Sequence, residues 1–535
     1  MASINTSKEG GVITWGSEDW ISGLLPTFTT STVANQKGNK ELAAAKAMNP
    51  FRAFGYAYPG ALPTDVTNVS EVSEQALKGL GYSDAAYIIT AGAKIQKLTL
   101  ASDTLTASFK TISAHGGHAS VVGNDIAIYN AKVGGTSARK LFYSWSDNTD
   151  WDVGVFDFSA TFDDDFLSTA PATPLGASGS YLTDGVGYPH PLIVGEDDIL
   201  YIGDRNFIHA LDGQNSADND GKFFPAVLTL PGGFIITSFA KVPLGLMIFG
   251  YHINPQGAGS TYIYKGKAVA FLWDYVSLDI TASYDLNDNF VSEAFQYRGT
   301  VGCFTQGASK DPSSSTKLSK LQLFNGSIFE TVQTFIGNVP VRGGVDIVGD
   351  SITWNSQGVL YSHGSPLFGV SSGLNKLSEG GGTTSGMLAT LYQDKQYMSS
   401  GTTTAGGLQV IQPFPNNYFA TSQLATPLVE PPFPPDQRGR VRAVKVHYAT
   451  STTSASSRGV SVLLRPNAGS NSTVINADTD IGATELIATR RLDASGSALP
   501  GFDSIKLILQ WDAGNGTTDA PGISKVECFY ENVNT

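Results

Sequence analysis

Gly369-Val-Ser371-Ser-Gly373 has the Gly-x-Ser-x-Gly spacing of a hydrolase nucleophile elbow. That chemistry needs the serine on a sharp strand-to-helix turn, with a histidine at hand. The residues that follow, Leu374-Asn-Lys-Leu-Ser-Glu-Gly-Gly-Gly, are too short and too broken by glycine for such a helix, and the match is expected by chance in a Gly/Ser-rich chain. Asp212 to Gly221 has the acidic, glycine-ended look of a calcium loop. Calcium wants about six to eight hard oxygens, with an acid first and a bidentate Glu last. Aligning Gly221 with the loop glycine puts Ser216 first and Val227 last, so both end ligands fail and a polar loop between strands is expected. Asp163-Asp-Asp165 and Glu196-Asp-Asp198 could supply the paired acids of a glycosidase. No spacing sets two isolated carboxylates across a pocket, and the second cluster reads as a hairpin turn. Of the histidines at 115, 118, 190, 209, 252, 363 and 447, only His115 and His118 stand at ligand spacing, without a third partner. The expectation is a protein without catalytic residues, bound metal or cofactor.

The elements that would position such groups are strands. In 535 residues, 15% are charged, 10% are aromatic and 59 are glycine, a turn-rich and weakly charged mixture that favours all-β architecture. The net charge of −13 argues against direct sequence-specific nucleic-acid binding. Arg438, Arg440, Arg442 and Lys445 alternate as on the wet face of a strand. No apolar run is long enough for a transmembrane helix. No basic-then-apolar leader opens the sequence, so synthesis and assembly inside a cell are expected. Cys303 and Cys528 each sit in strand-like sequence and read as buried free thiols.

Three parts are expected. Residues 1–84 read as an extended arm with short helices at 39–48 and 70–80. From 85 to 415 a strand–turn–strand phrase recurs, as in Ala119-Ser-Val-Val-Gly-Asn-Asp-Ile-Ala-Ile-Tyr129, Pro191 to Ile202 and Val345 to Trp354. Units open near Tyr87, Ala119, Leu192, Phe234, Phe290, Val345 and Met387, about 50 residues apart on average, as in four-stranded propeller blades. A β-propeller of about seven blades is the reading, with a barrel or stacked sandwich as the alternative. Its exposed edges must be hidden, by sequence before Ala85 or around Leu408 to Ile411. A proline-rich hinge at 416–435 then leads to a β-sandwich at 436–535.

Two segments carry more than fold. Ser144-Trp-Ser-Asp147-Asn-Thr-Asp150-Trp151 reads as a hairpin whose aspartate caps backbone amides while Trp151 packs beneath. Sialidase Asp-boxes share this logic but want Ser-x-Asp-x-Gly-x-x-Trp, and here Asp147 falls one place late. The arm contains Trp15, Trp20, Phe28, Phe51, Phe54, Tyr56 and Tyr58 without an amphipathic element to bury them. These seven are the candidate assembly contacts, packed either on the chain's own propeller or on a neighbouring molecule.

The Trp-Ser-Asp to Asp-Trp turn, the Asn49-Pro-Phe-Arg-x-Phe-Gly-Tyr56 stretch and the C-terminal Gly522-Ile-Ser-Lys-Val-Glu-Cys-Phe-Tyr-Glu531 together resemble tailed-bacteriophage virion proteins with β-propeller folds. The resemblance implies a structural part of the tail, its tip or nozzle, made in the host cytoplasm and acting through homo-oligomeric assembly. Its implied partners are other copies and other virion tail proteins. The alternative is a glycan- or receptor-binding tail propeller that stacks a host-surface sugar on Trp145, Trp151, Trp273 or Trp354, and a glycoside-processing enzyme is the weakest reading.

Overall fold

The computed structural model describes residues 3–6, 10–16, 44–46, 48–49, 57–61, 63–71, 74–106, 109–111, 121–147, 149–159, 161–175, 181, 188–215, 217–253, 266–307, 318–349, 351–364, 374–379, 386–400, 407–412, 422–426, 428–448, 460–467, 469–475, 487–492, 499–511 and 522–534. The chain is an all-β propeller. Seven antiparallel sheets follow one another, opening with Ala76–Tyr82, Val122–Val133, Leu192–Val194, Phe234–Val242, Phe290–Tyr297, Val345–Val348 and Leu388–Tyr392. We number them blades 1 to 7. Each opening strand packs on the next, and that of blade 7 returns to that of blade 1, so the ring is closed.

The blades form because runs such as Ala268–Trp273 and Gly245–His252 are apolar on both faces, as strands sandwiched between neighbouring sheets must be. Blade 2 absorbs the long interval before Leu192. It combines an extended hairpin, Val122–Val133 with Thr136–Ser146, and a one-turn helix, Phe166–Thr169, whose Phe166 and Leu167 enter the core. Blade 1 starts at Ala76, earlier than the expected Tyr87, which lies in its second strand, Ala85–Thr90. The helix expected over 70–80 is therefore a strand, preceded by a single 3₁₀ turn at Val69–Glu71. Pairing with Ala85–Thr90 overrides the weak local helix signal.

The seventh blade is completed from the other end of the chain. Thr64–Asp65 is the outer strand beside Leu408–Ile411. Val66 N–H then donates to Leu408 O at 3.1 Å, and Thr67 exchanges bonds with blade 1, its N–H reaching Asp103 O at 2.8 Å. Asp103 in turn accepts from Lys395 Nζ at 2.8 Å and Tyr397 Oη at 2.5 Å, both in blade 7. Val66 is buried in the core between the two blades with Leu98, Leu105 and Val410.

Among the described residues, Met48–Asn49 pairs with Tyr58–Pro59 in a two-stranded sheet, and the other strands form two five-stranded sheets packed face to face. One runs Ser3–Thr6, Gly10–Trp15, Ile523–Asn534, Gln437–Tyr448, Ile487–Arg491; the other runs Ala44–Lys46, Gln423–Ala425, Ile505–Trp511, Val460–Pro466, Ser472–Ile475. Ile13, Trp15, Val444 and Cys528 of the first meet Val462, Leu464, Leu507 and Leu509 of the second in one core. This corrects the arm: Ser3–Thr6 and Gly10–Trp15 are paired strands of the sandwich, and the helix expected at 39–48 gives way to a strand at Ala44–Lys46, paired with Gln423–Ala425. It also corrects the hinge. Val429 pairs with Ile505, and Phe433 sits in a three-ring cluster with Phe502 and Tyr530, centroids 5.6–5.7 Å apart. The prolines stiffen a segment that is bound along the sandwich. Cys303 and Cys528 are buried free thiols.

Val66→Asp should place an unpaired carboxylate between blades 1 and 7 and cost about 3–5 kcal/mol. A lowered urea midpoint of the full chain checks this; an unchanged midpoint would mean that the ring holds without its strap.

Candidate functional site

The opening strands surround the propeller axis, and besides a slip between Thr390 and Tyr392 in blade 7, four of them carry the same irregularity. Their pairing with the second strand slips between Ala76 and Lys78, Gly123 and Asp125, Ile236 and Ser238, and Val291 and Glu293. A bulge of this kind bends the strand and re-aims the side chain beside it. Lys78, Asp125, Ser238 and Glu293 each follow a bulge. The segment Val341 to Gly344, which leads into blade 6, comes close to these strands. Gly343 has φ +73°, and a Cβ there would fall 2.4 Å from Leu77 O, so both backbone conformation and space call for glycine.

Arg342 reaches from this segment to the bulges of two blades. Its Nη1 donates to Asn124 O at 3.1 Å and its Nη2 to Thr237 O at 3.0 Å. The other groups link blade to blade. Lys78 Nζ donates to Asp125 Oδ1 at 2.7 Å, and Asp125 also accepts the N–H of Ile126 at 2.8 Å and, across the blade gap, that of Leu192 at 2.9 Å. Ser238 Oγ accepts the N–H of Ala294 at 3.1 Å. Glu293 accepts the N–H of Gly343, whose carbonyl receives Leu388 N–H of blade 7 at 2.8 Å. Two cations face two carboxylates, so the cluster is neutral when Glu293 is ionised. Hydrogen bonds to charged groups contribute about 1.5–3 kcal/mol each, which makes these links strong ones.

Two atoms stay outside the network: Glu293 Oε2 and Arg342 Nε are buried without a hydrogen-bond partner. Burial pushes the Glu293 carboxyl up to about 7, against the opposing pull of Lys78 and Arg342. The arrangement can thus hold or release one proton near neutrality while it ties the blades together.

The groups singled out in the sequence lie elsewhere. Asp147 caps the N–H groups of Thr149 and Asp150 at 2.6 and 2.7 Å, and Trp151 is buried beside it, stacked on His190 at 4.2 Å. Trp145, Trp273 and Trp354 are buried as well, so none of the four tryptophans can stack on a sugar. Asp197 accepts from Tyr201 Oη at 2.5 Å, and Asp164 accepts from Tyr143 Oη and pairs with Lys110 at 3.0 Å. Asp212 and Asp220 bind backbone N–H groups at 3.0 and 2.5 Å within and beside the polar loop expected there. His209 lies in the core, its Nε2 3.7 Å from Asp204. Among the described residues, no group of three His, Cys, Asp or Glu could hold a metal ion. Ser371, His115 and His118 lie outside the described residues.

Of the arm aromatics, Trp15 and Tyr58 are corrected. Trp15 fills the sandwich core, and the Tyr58 ring lies where a Cβ on Gly522 would fall, 2.4 Å from Cζ. Both are buried within their own chain, because the strands that carry them belong to or border the sandwich. Trp20, Phe28, Phe51, Phe54 and Tyr56 lie outside the described residues. Sequence reasoning missed Lys78, Asp125, Glu293 and Arg342. The signal was available: a polar residue falls shortly after several units open, but bulges are not written in an apolar pattern.

No protein-family model matches the sequence, and neither does any curated protein. Solved structures, a propeller among them, are similar to this chain. The Dos1 propeller aligns over 65% of this chain and 95% of its own, at 9% identity and a TM-score of 0.41. Semaphorin 2a of Drosophila aligns over 81% and 93%, at 8% identity and 0.42. The PQQ-bound aldose sugar dehydrogenase of Streptomyces coelicolor aligns over 66% and 99%, at 10% identity and 0.34. Likeness this loose carries no functional argument, and the closed ring of opening strands is what defines the fold.

Glu293 gives a pH test. The unfolded chain ionises it near 4.5 and the folded protein near 7. The folded state holds the proton more tightly, so this contribution to stability is full below about pH 4.5 and is lost as the pH rises to about 7. Glu293→Gln should raise the melting temperature above about pH 7, with a gain that closes toward about pH 4.5. A gain of equal size at every pH would refute the assignment.

Proposed function

We propose that this chain is a non-catalytic structural component of a tailed-bacteriophage virion, placed in the tail or its tip or nozzle apparatus and working as a homo-oligomer. The observation that carries the structural part is the use made of the axis. Propellers offer their axis as the natural place for convergent polar groups. Here Arg342 lies across two bulge carbonyls, and Lys78, Asp125 and Glu293 join blades or brace the segment that crosses them. Such a cluster supports a rigid part better than a pocket that must admit and release a substrate.

The virion part rests on the whole-chain resemblance and on its Trp145 to Trp151 turn, where Asp147 holds the backbone. Trp20, Phe28, Phe51, Phe54 and Tyr56 remain the arm's proposed contacts with other copies or tail proteins. Burial of the four tryptophans weighs against the glycan-binding alternative.

Mass spectrometry of purified particles tests the reading. The protein should be present at a fixed ratio to other tail proteins, and replacing Phe51, Phe54 and Tyr56 together by serine should reduce its incorporation while the propeller still unfolds at the wild-type temperature. Absence from particles overturns the assignment, and normal incorporation of the variant removes the arm from it.

A further inference from the structure

Blade 4 displays an apolar tip that its own chain leaves uncovered. Leu244, in the turn after the first strand, is 77% exposed, and Val276 and Leu278, in the loop after the third, are 85% and 94% exposed. These two turns lie at the same end of the blade, and Tyr275 Oη joins them through Gly245 O at 3.2 Å. The loop is held in shape. Asp274 accepts the N–H groups of Val276 and Ser277 at 3.0 and 2.7 Å, Trp273 Nε1 donates to Ser277 O at 2.7 Å, and Tyr275 stacks on Tyr201 of blade 3. Fixed loops that hold aliphatic side chains in water are pre-organised for contact, since little ordering remains to be done on binding. Around the tip the charge is acidic: Glu196, Asp198 and Asp279 stand in the adjoining turns, where Lys241 pairs with Glu196 at 3.3 Å.

A surface of the opposite character lies on the sandwich. On the outer face of the sheet formed by Gln437–Tyr448, Ile523–Asn534 and Ile487–Arg491, Glu531 pairs with Arg442 at 2.5 Å. Glu527 is shared by Lys445 at 3.9 Å, His447 at 2.9 Å and Lys525. Neither Arg440 nor Arg491 has an acidic partner among the described residues. In a chain of net charge −13 this face is positive. It also carries an apolar row, since Val12 pairs with Phe529 and Phe529 with Ala443, beside Arg491.

We propose that the acid-rimmed aliphatic tip of blade 4 docks on the base-rimmed apolar row of the sandwich in a second copy of this chain. The tip is exposed and the row half-buried, and the described residues of one molecule bring neither against the other. Because they differ, the contact is head-to-tail, and each copy keeps one surface free for the next, as a ring or filament requires. The inference rests on the assembly reading only in requiring that copies meet, and it is tested on purified protein, so either can fail without the other.

Sedimentation velocity of the full-length protein should show association that grows with concentration. Leu278→Asp, at a position that is 94% exposed, should weaken it about tenfold or more without shifting the melting transition, and Arg440→Glu with Arg491→Glu should do the same. An equimolar mixture of the tip variant and the face variant restores one intact contact per pair, so it should form dimers and nothing larger. A wild-type protein that stays monomeric, variants that associate like wild type, or a mixture that stays monomeric would each overturn the proposal.

Discussion

The constraint on which the rest of this structure depends is that a ring of sheets has a first and a last edge, and neither can be left open. The chain meets it with four residues, 64 to 67. They lie on blade 7 through Leu408–Ile411 and bond blade 1 through Asp103 and Leu105. A strand donated from far away in sequence makes closure of the ring a late, long-range event, which links the stability of every blade to the position of one short segment. The side-chain junction of Asp103 with Lys395 and Tyr397 sits at the same seam. Two layers of bonding, backbone and side chain, therefore hold the place where the ring would open.

The same geometry explains the axis. Seven opening strands converge there, and their first residues cannot all pair in a flat ladder. Bulges in blades 1, 2, 4 and 5 relieve the crowding and leave the Asn124 and Thr237 carbonyls without ladder partners; Arg342 supplies donors to both. A guanidinium suits this place because its donors fan out in a plane and reach two blades at once. Asp125 and Glu293 balance the cations that the carbonyls attract. The elevated Glu293 carboxyl then follows from packing a fourth charge where water is scarce.

Much of the propeller was legible in the sequence, and for a physical reason. Opening strands that are apolar and bounded by Gly or Asp turns stand out, so Leu192, Phe234, Phe290 and Val345 mark both the expected units and the observed strands. The first unit was misplaced because Ala76–Tyr82 is interrupted by Lys78, Gly79 and Gly81 and begins close to a capping-box pattern at Asn68 to Glu71. The terminal strands were hidden for a different reason. Gly10–Trp15 and Ala44–Lys46 are short strands whose partners, Ile523–Asn534 and Gln423–Ala425, lie far along the chain, and no local pattern announces a pairing of that range. The axis cluster was hidden because its members are ordinary single charges, brought together only by ring closure.

The terminal sandwich shows how these parts are coupled. Its first sheet joins the N-terminal hairpin to the C-terminal strand, through the register Val12 to Phe529 and Trp15 to Val526. The chain therefore leaves the sandwich at its start, contributes Ala44–Lys46 to the second sheet, straps the ring at residues 64–67, runs around seven blades, and re-enters the sandwich at Gln423–Ala425. The strap is held at one end by the ring it closes and tethered at the other by a folded body. Ala57, bonded both ways to Ile523, fixes the path only a few residues before the strap begins. Anchoring a short strand this way lowers the entropy lost when it docks, because its near end is already in place. That is why two residues of regular pairing, too few to be stable alone, suffice to complete the seventh blade.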